Sequence, residues 1–380
     1  MKASFFTSKN SIWLSPLTIL MSFGSVGLIT NILVYSDWSL SHWLFLGGLL
    51  SFGVAYLFVR LLFSVPVSTQ SIRRHSRFVP SNRINKPLVS IYWLLGLLGA
   101  VVSLYVIIMI GALGERDLFF NLRYSHTVEG ATPKSIGYLS LFSFSLALFY
   151  AYKGFPKLSL VNLAMSLLGT LAFAERTGLL MKIAAVSYIF VWVYGFRLKF
   201  FLTAALVFLV LSFVIAFGAG KVGGSDSEFF LVKYIGYGVS SFDNWIYGAE
   251  PVPCYQSVFG TILGGSIDSL IGTASRCAYV PGAPPGEFNV YTYMSNPYVV
   301  FGSIGVYAAM ALLGLFYSFL FHVASRNQGV WVLLLSIFVY PLVMVFYAWQ
   351  FSLTTFVYLA ILLFPLFFCV SRSACSKVYK

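Results

Sequence analysis

Two stretches of this chain carry side chains that could do chemistry within an otherwise apolar sequence. The first, 219–296, holds six of the eleven acidic residues. Its last part concentrates hydrogen-bonding side chains, namely Glu287, Asn289, Tyr291 and Tyr293. The second is the short turn Glu175-Arg176-Thr177-Gly178. A carboxylate can take a proton from an attacking hydroxyl, and a guanidinium can stabilise an anion, so we expect the reaction at these stretches.

The composition predicts a membrane protein that positions these stretches with helices. The chain is 59% apolar and 9% charged, whereas soluble domains are about 25% charged. Apolar runs of about 20 residues recur, and the alternation of a membrane β-barrel is absent. We predict an all-α, polytopic fold with a single transmembrane domain over 1–380. Ten spans are expected, at 12–34, 41–63, 88–112, 136–152, 158–174, 179–194, 200–218, 297–322, 330–347 and 352–370.

The loops between these spans differ in charge from one side to the other. One side carries Lys and Arg without an acid, as in 71–86, whereas the other receives all eleven acids. By the positive-inside rule the first side is cytoplasmic, and it holds both termini. The formal charge of +13 is then an orientation signal that meets anionic lipid, and it does not indicate nucleic acid. Both chemical stretches are expected outside the cytoplasm, with 219–296 as one large loop between spans 7 and 8.

The turn at Arg176 lies between two short spans. Spans of 16 and 17 residues reach only about 24–26 Å, less than the hydrocarbon thickness of about 30 Å. The turn is therefore expected below the outer surface, where a charge needs a polar recess or a partner. The alternative is a snorkelling Arg176 paired with Glu175. Lys182, further along the same span, is expected to be a snorkelling surface cation, and the alternative is that it adds positive potential to the same recess.

Within the large loop, the sequence predicts one helix and allows one disulfide. Apolar residues recur at helical spacing, at Leu231, Ile235, Val239, Phe242 and Ile246, and predict a helix in the membrane interface that forms a lid beside the lipid. Cys254 and Cys277 lie on the oxidising side, so both a disulfide and two unpaired thiols remain open.

The end of the large loop resembles the O-antigen polymerase (Wzy) family of oligosaccharide repeat-unit polymerases. The resemblance rests on Asn289-x-Tyr291-Thr292 followed by Tyr298-x-x-Phe301-Gly302-x-x-Gly305, with an Arg-Thr-Gly turn two spans earlier. It covers about Leu163 to the C-terminus. Members often have an acid where this chain has Val300, so that role is absent here or belongs to another residue such as Glu287. Gly302 and Gly305 would permit close helix approach.

This resemblance implies a metal-independent glycosyltransferase of the bacterial inner membrane, without a cofactor. It would move a glycan from undecaprenyl pyrophosphate to a lipid-linked repeat unit at the periplasmic face. Guanidinium groups of Arg176 and Arg276 would stabilise the departing diphosphate. Weaker candidates for this role are Lys182, Lys233 and Arg123. The base would be Glu287, with Asp243 and His126 as alternatives.

Other candidate residues would bind the sugar, or they would have no role in the reaction. Asn289, Tyr291 and Tyr293 would contact substrate at the point where the chain re-enters the membrane, or would form part of an aromatic belt. The segment Gly114–Lys134, with Arg123 and His126, either lines a sugar-binding mouth or is a solvated loop with paired charges. A lone histidine with scattered acids gives no metal site.

Two other functions compete with the polymerase. An O-antigen ligase performs the same transfer onto a lipid A core, and sequence at this level distinguishes it poorly from a polymerase. A transporter or flippase of lipid-linked oligosaccharide would show an internal repeat or broken helices in both halves, and we find no repeat. A partner that regulates chain length is a further expectation for a polymerase.

Overall fold

The structure is a computed structural model that places most of the predicted spans. It describes residues 14–35, 38–63, 86–125, 135–174, 176–195, 294–327, 329–346 and 358–366, and also 203, 206, 210, 236, 238–240 and 242. Of what it describes, 90% is helical and none is strand. The prediction of an all-α fold is confirmed.

Nine helices can be given bounds. They are α1 (Pro16–Tyr35), α2 (Leu40–Leu62), α3 (Lys86–Val106), α4 (Leu118–Tyr124), α5 (Ser135–Tyr152), α6 (Pro156–Ala172), α7 (Arg176–Tyr194), α8 (Ser295–Asn327) and α9 (Val330–Val343). Helix α3 continues as a π-helical segment, Ile107–Ala112. Residues 358–366 are also helical.

Five stretches of the described chain are long and apolar enough to cross a membrane. They are Pro16–Val34, Leu40–Leu62, Pro87–Ala112, Thr177–Tyr194 and Phe301–Arg326. Three shorter apolar helices, Ile136–Tyr152, Pro156–Ala172 and Val330–Val343, match further predicted spans. A membrane protein is thus supported, whereas the total of ten spans and the orientation of the termini stay predictions.

The closest helix contacts join both neighbours in the chain and helices that are far apart in it. Helix α2 packs against α8, α5 against α3 and α6, and α7 against α9. Small residues permit this contact, because a side chain at Gly314 would collide with the carbonyl of Phe52, and one at Gly96 with Ser143. Most of α9 is buried at the centre, whereas α2 and α3 expose leucines such as Leu50 and Leu94 to the surroundings.

One end of this bundle is covered by α4. Leu122 of α4 shares a buried cluster with Ile136 at the start of α5 and with Ala172 and Phe173 at the end of α6. Phe119 of the same helix packs against residues of α7. We call this end, where α6 ends and α7 begins, the capped end. The charges of the loops predict that this end faces away from the cytoplasm.

Candidate functional site

A lysine is buried inside the bundle near the capped end. Lys182 of α7 is only 3% exposed. Its Nζ donates to the carbonyl oxygen of Ser166 at 2.6 Å, to Thr170 Oγ1 at 2.7 Å and to Ser140 Oγ at 3.3 Å. Three oxygen atoms from α5 and α6 thus surround the three donor positions of an ammonium group. The prediction that Lys182 snorkels at the surface is wrong, because these oxygens hold its side chain between the helices.

The position of Lys182 along α7 places it close to the turn that holds Arg176. Arg176 is the first residue of α7, and a separation of six residues corresponds to about 9 Å along the axis. Long helical side chains point towards the N-terminus of their helix. The ammonium of Lys182 therefore points from the second turn of α7 towards its first turn. The helix dipole favours an anion at that first turn.

The turn before Arg176 is enclosed by protein. Phe173 and Ala174 are buried, in one cluster with Val106 and Leu122. Ala174 has φ of +49°, a left-handed conformation that closes the connection from α6 to α7 within a few residues. Buried side chains thus surround this turn, whereas the polar recess inferred from span length and the depth of the turn in a bilayer stay predictions.

An amide side chain of α4 binds the segment that connects this helix to α3. Asn121 Nδ2 donates to the carbonyl oxygens of Gly111 at 2.9 Å and Arg116 at 2.6 Å. The Arg116 guanidinium lies 4.7 Å from the centre of the Phe120 ring, a cation–π contact at the surface. The segment predicted to line a mouth thus contains an ordered helix that covers the α6–α7 turn.

A second polar cluster joins the large loop to the bundle. Asn31 and His42 are buried at the facing ends of α1 and α2. Asn31 Nδ2 donates to the carbonyl oxygen of Gly236 and to Ser240 Oγ, the latter at 2.8 Å. Its Oδ1 lies 2.7 Å from His42 Nε2. We call Asn31 and His42 the loop clasp, because Asn31 binds Gly236 and Ser240 of the loop and His42 holds the amide of Asn31.

The hydrogen bonds of the loop clasp define the tautomer of His42. The backbone N–H of Ser39 donates to His42 Nδ1 at 3.0 Å, so Nδ1 is an acceptor. The Nε2 atom must then carry the hydrogen and donate to the carbonyl oxygen of Asn31. Trp38 stacks on the ring, with centroids 5.0 Å apart. His42 is therefore held as a neutral, positioning side chain.

The described residues of the predicted lid helix are helical, but their apolar side chains face protein. Val239 and Phe242 are buried in the main core of the bundle. Phe242 meets Tyr298 of α8 edge to face, with centroids 5.3 Å apart. The apolar pattern thus correctly indicated a helix, whereas at these residues its surroundings are the bundle and not lipid.

Helix α8 is broken within the segment from Tyr298 to Gly305. Phe301 and Gly302 leave the helical conformation, and Gly302 has φ of +61° and ψ of −151°. The chain folds back so far that a side chain at Gly305 would collide with the carbonyl oxygen of Pro297. Gly305 thus permits a close approach, but the segment that approaches it is the first turn of its own helix and not another helix. The long apolar span starts at Phe301, four residues later than the predicted 297.

Most residues that the sequence selected for the site cannot be placed. Outside the described residues lie Glu287, Arg276, Asn289, Tyr291, Tyr293, Lys233, Asp243, His126, Cys254 and Cys277. Arg176 and Arg123 are described only as helical positions, on α7 and α4. Arg123 follows Leu122, which packs at the α6–α7 turn. Among the described residues, no group of three His, Cys, Asp or Glu could hold a metal ion.

Sequence reasoning missed two parts of this arrangement for which signals exist. Buried polar residues recur at helical spacing on α6, at Ser159, Asn162, Ser166 and Thr170, and such a stripe in an apolar span indicates an interior face. His42 lies three residues into an apolar span, where an ionisable side chain is equally unusual. The sequence shows both signals, but it does not show which residues of other helices contact them.

A lysine at the opposite end gives a useful comparison. Lys153 follows α5 and lies 5.8 Å from the centre of the Phe149 ring. Burial lowers the pKa of Lys153, because a low-dielectric environment disfavours its charged form. Its side chain is only half-buried, so this cation is at the edge of the bundle, in contrast to Lys182.

No protein-family model matches this chain, and neither the curated proteins nor the solved structures compared with it include one of significant similarity. The function has to be argued from the residues of this chain.

Proposed function

We propose that the chain is an oligosaccharide repeat-unit polymerase of the O-antigen type. It transfers a glycan from undecaprenyl pyrophosphate to the non-reducing end of a lipid-linked repeat unit at the periplasmic face. The proposal is supported by the resemblance of the segment from Asn289 to Gly305 and by the apolar, all-helical bundle. The reaction uses neither a metal nor a cofactor.

The buried ammonium of Lys182 is the observation that carries this proposal. A glycosyl transfer from a diphosphate carrier develops negative charge on the leaving group, and fixed cations in a site of low dielectric stabilise that charge strongly. Lys182 lies one to two turns below Arg176 on the same helix. Arg176, Arg276 and Lys182 are the proposed cations, with Lys233 and Arg123 as weaker candidates.

The large loop supplies the remaining groups in this proposal. Glu287 removes the proton from the acceptor hydroxyl, with Asp243 and His126 as alternatives. Asn289, Tyr291 and Tyr293 contact the sugars, and Lys233, Arg123 and His126 assist. The loop clasp keeps one part of the loop, Gly236 to Ser240, beside α1 and α2. A segment fixed in this way gives the loop a defined position relative to the bundle.

The location in the cell follows from the charges of the loops. We place both termini in the cytoplasm, ten spans in the bacterial inner membrane, and 219–296 in the periplasm. A disulfide between Cys254 and Cys277 fits that compartment. The partners in this scheme are the lipid-linked oligosaccharide, membrane lipids and a protein that regulates chain length.

The experiment gives the purified protein a lipid-linked repeat unit in liposomes and separates the products by size. The polymerase extends the unit into a ladder of longer glycans on the same lipid. Transfer to a lipid A core without a ladder would identify a ligase instead. Movement of the lipid across the bilayer without any transfer would favour the transporter and refute the polymerase. Heat-treated protein is the control.

A further inference from the structure

The interface of α3, α5 and α6 contains buried oxygen atoms that the described residues leave unpaired. They are Ser143 Oγ on α5 and, on α6, Asn162 Oδ1 and Ser166 Oγ. All three residues are fully buried. An unpaired buried polar atom destabilises the fold, and three of them on neighbouring helices require an explanation.

The packing of α5 on α6 brings these atoms into one region. Ser159 Oγ donates to the carbonyl oxygen of Ala147 at 2.8 Å, and a side chain at Gly169 would lie 2.5 Å from Ser140 Cβ. These two contacts fix the register of the antiparallel pair. Ser143 lies between the contacts on α5, and Asn162 and Ser166 lie between them on α6.

The same region adjoins α3 and Lys182. A side chain at Gly96 of α3 would collide with Ser143 Oγ, so this hydroxyl lies where three helices meet. The carbonyl of Ser166 is the acceptor for Lys182 Nζ at 2.6 Å. Helix α6 turns this polar face inward and exposes Leu160 and Val161 on the other side. These hydroxyl and amide oxygens are therefore enclosed by protein, and one of the residues that carry them, Ser166, binds the cation through its carbonyl.

We infer that this interface binds a cluster of internal water molecules at Ser143, Asn162 and Ser166, next to the Lys182 ammonium. A buried water typically makes about three hydrogen bonds to polar groups that otherwise lack partners, and these oxygens, with neighbouring carbonyls, supply that number. The waters give these hydroxyl and amide oxygens the partners that no described residue supplies. This inference does not depend on the proposed function.

The first test uses thermal unfolding of hydroxyl deletions in detergent. Ser143→Ala and Ser166→Ala each remove an oxygen that binds water, so both lower the Tm by about 2 °C. The matched control is Ser318→Ala, which removes a hydroxyl that donates to the carbonyl of Tyr56 at 2.9 Å and lowers the Tm by a similar amount. If the region is dry, the two variants delete only unpaired oxygens, and an unchanged or raised Tm would overturn the inference.

The second test examines the wild-type protein directly. Electron cryo-microscopy at a resolution that reveals water should show density within hydrogen-bond distance of Ser143 Oγ, Asn162 Oδ1 and Ser166 Oγ. Direct hydrogen bonds among these side chains, without density between them, would refute the water cluster.

Discussion

The carbonyl oxygen of Ser166 accepts a hydrogen bond from Lys182 Nζ at 2.6 Å, so that an ammonium of α7 is bound to the backbone of α6. Helix α5 contributes a third contact through Ser140. A buried cation stabilises a fold poorly, because its desolvation offsets what its contacts provide. Such residues in membrane helices are usually kept for function, which makes Lys182 a functional candidate.

Gly302 should be required for the break in α8. Its φ and ψ lie in a region that is essentially restricted to glycine, and forcing a side chain into it costs about 1–3 kcal/mol. No other atom lies within 4 Å of the added Cβ, so Gly302→Ala tests the backbone alone. We expect a lower Tm and reduced elongation, measured on the purified protein.

The control for that substitution is Gly137→Ala in α5. There the new Cβ would lie 3.5 Å from the Phe173 ring, an ordinary contact, and alanine favours a helix. Its Tm should stay the same or rise. If Gly302→Ala behaves in the same way, the break is not needed.

Asn31→Ala should release the large loop from the bundle. The substitution removes the bonds to Gly236 and Ser240 and leaves His42 Nε2–H without its acceptor. A loss of about 1–3 kcal/mol is expected. Hydrogen exchange measured by mass spectrometry should become faster at 236–242, and elongation should fall.

Ser51→Ala in α2 is the comparison, because its hydroxyl bonds only within the helix, to the carbonyl of Gly47. It should leave exchange at 236–242 unchanged. Slow exchange at 236–242 in Asn31→Ala would show that other contacts hold the loop.

The predicted topology places Cys254 and Cys277 in the periplasm and Cys369 and Cys375 in the cytoplasm, so only the first two should form a disulfide. Under non-reducing conditions, Cys254 and Cys277 should resist alkylation in the denatured protein, whereas Cys369 and Cys375 should react. Mass spectrometry of the peptides gives the readout. Alkylation of all four cysteines would exclude the bridge, and with it this support for a periplasmic loop.

The sequence predicted the parts of this structure that depend on local pattern. Apolar runs located the helices, because one apolar span of sufficient length is a property of neighbouring residues. The burial of Lys182 was not predictable in this way, because it depends on Thr170 and Ser140, which lie on other helices. The start of the α8 span was misplaced for a similar reason, since Gly302 permits either a helix or a reversal and the surrounding fold decides.

The loop clasp shows the same limit more clearly. Asn31 and His42 are eleven residues apart in the chain, but Gly236 is 205 residues from Asn31. No local pattern links these residues. A histidine near the start of an apolar span could only have marked the position as unusual.

Elongation by the Lys182→Met variant measures whether the buried ammonium takes part in the reaction. Methionine fills a similar volume without a charge, but it leaves the oxygens of Ser166, Thr170 and Ser140 without this donor, so the Tm should fall. Elongation is therefore measured well below the Tm of the variant, where loss of the charge should lower the rate by about 100-fold or more. The control is Lys153→Met at the opposite end, which should elongate normally. Full elongation by Lys182→Met would show that the buried ammonium has no part in the reaction.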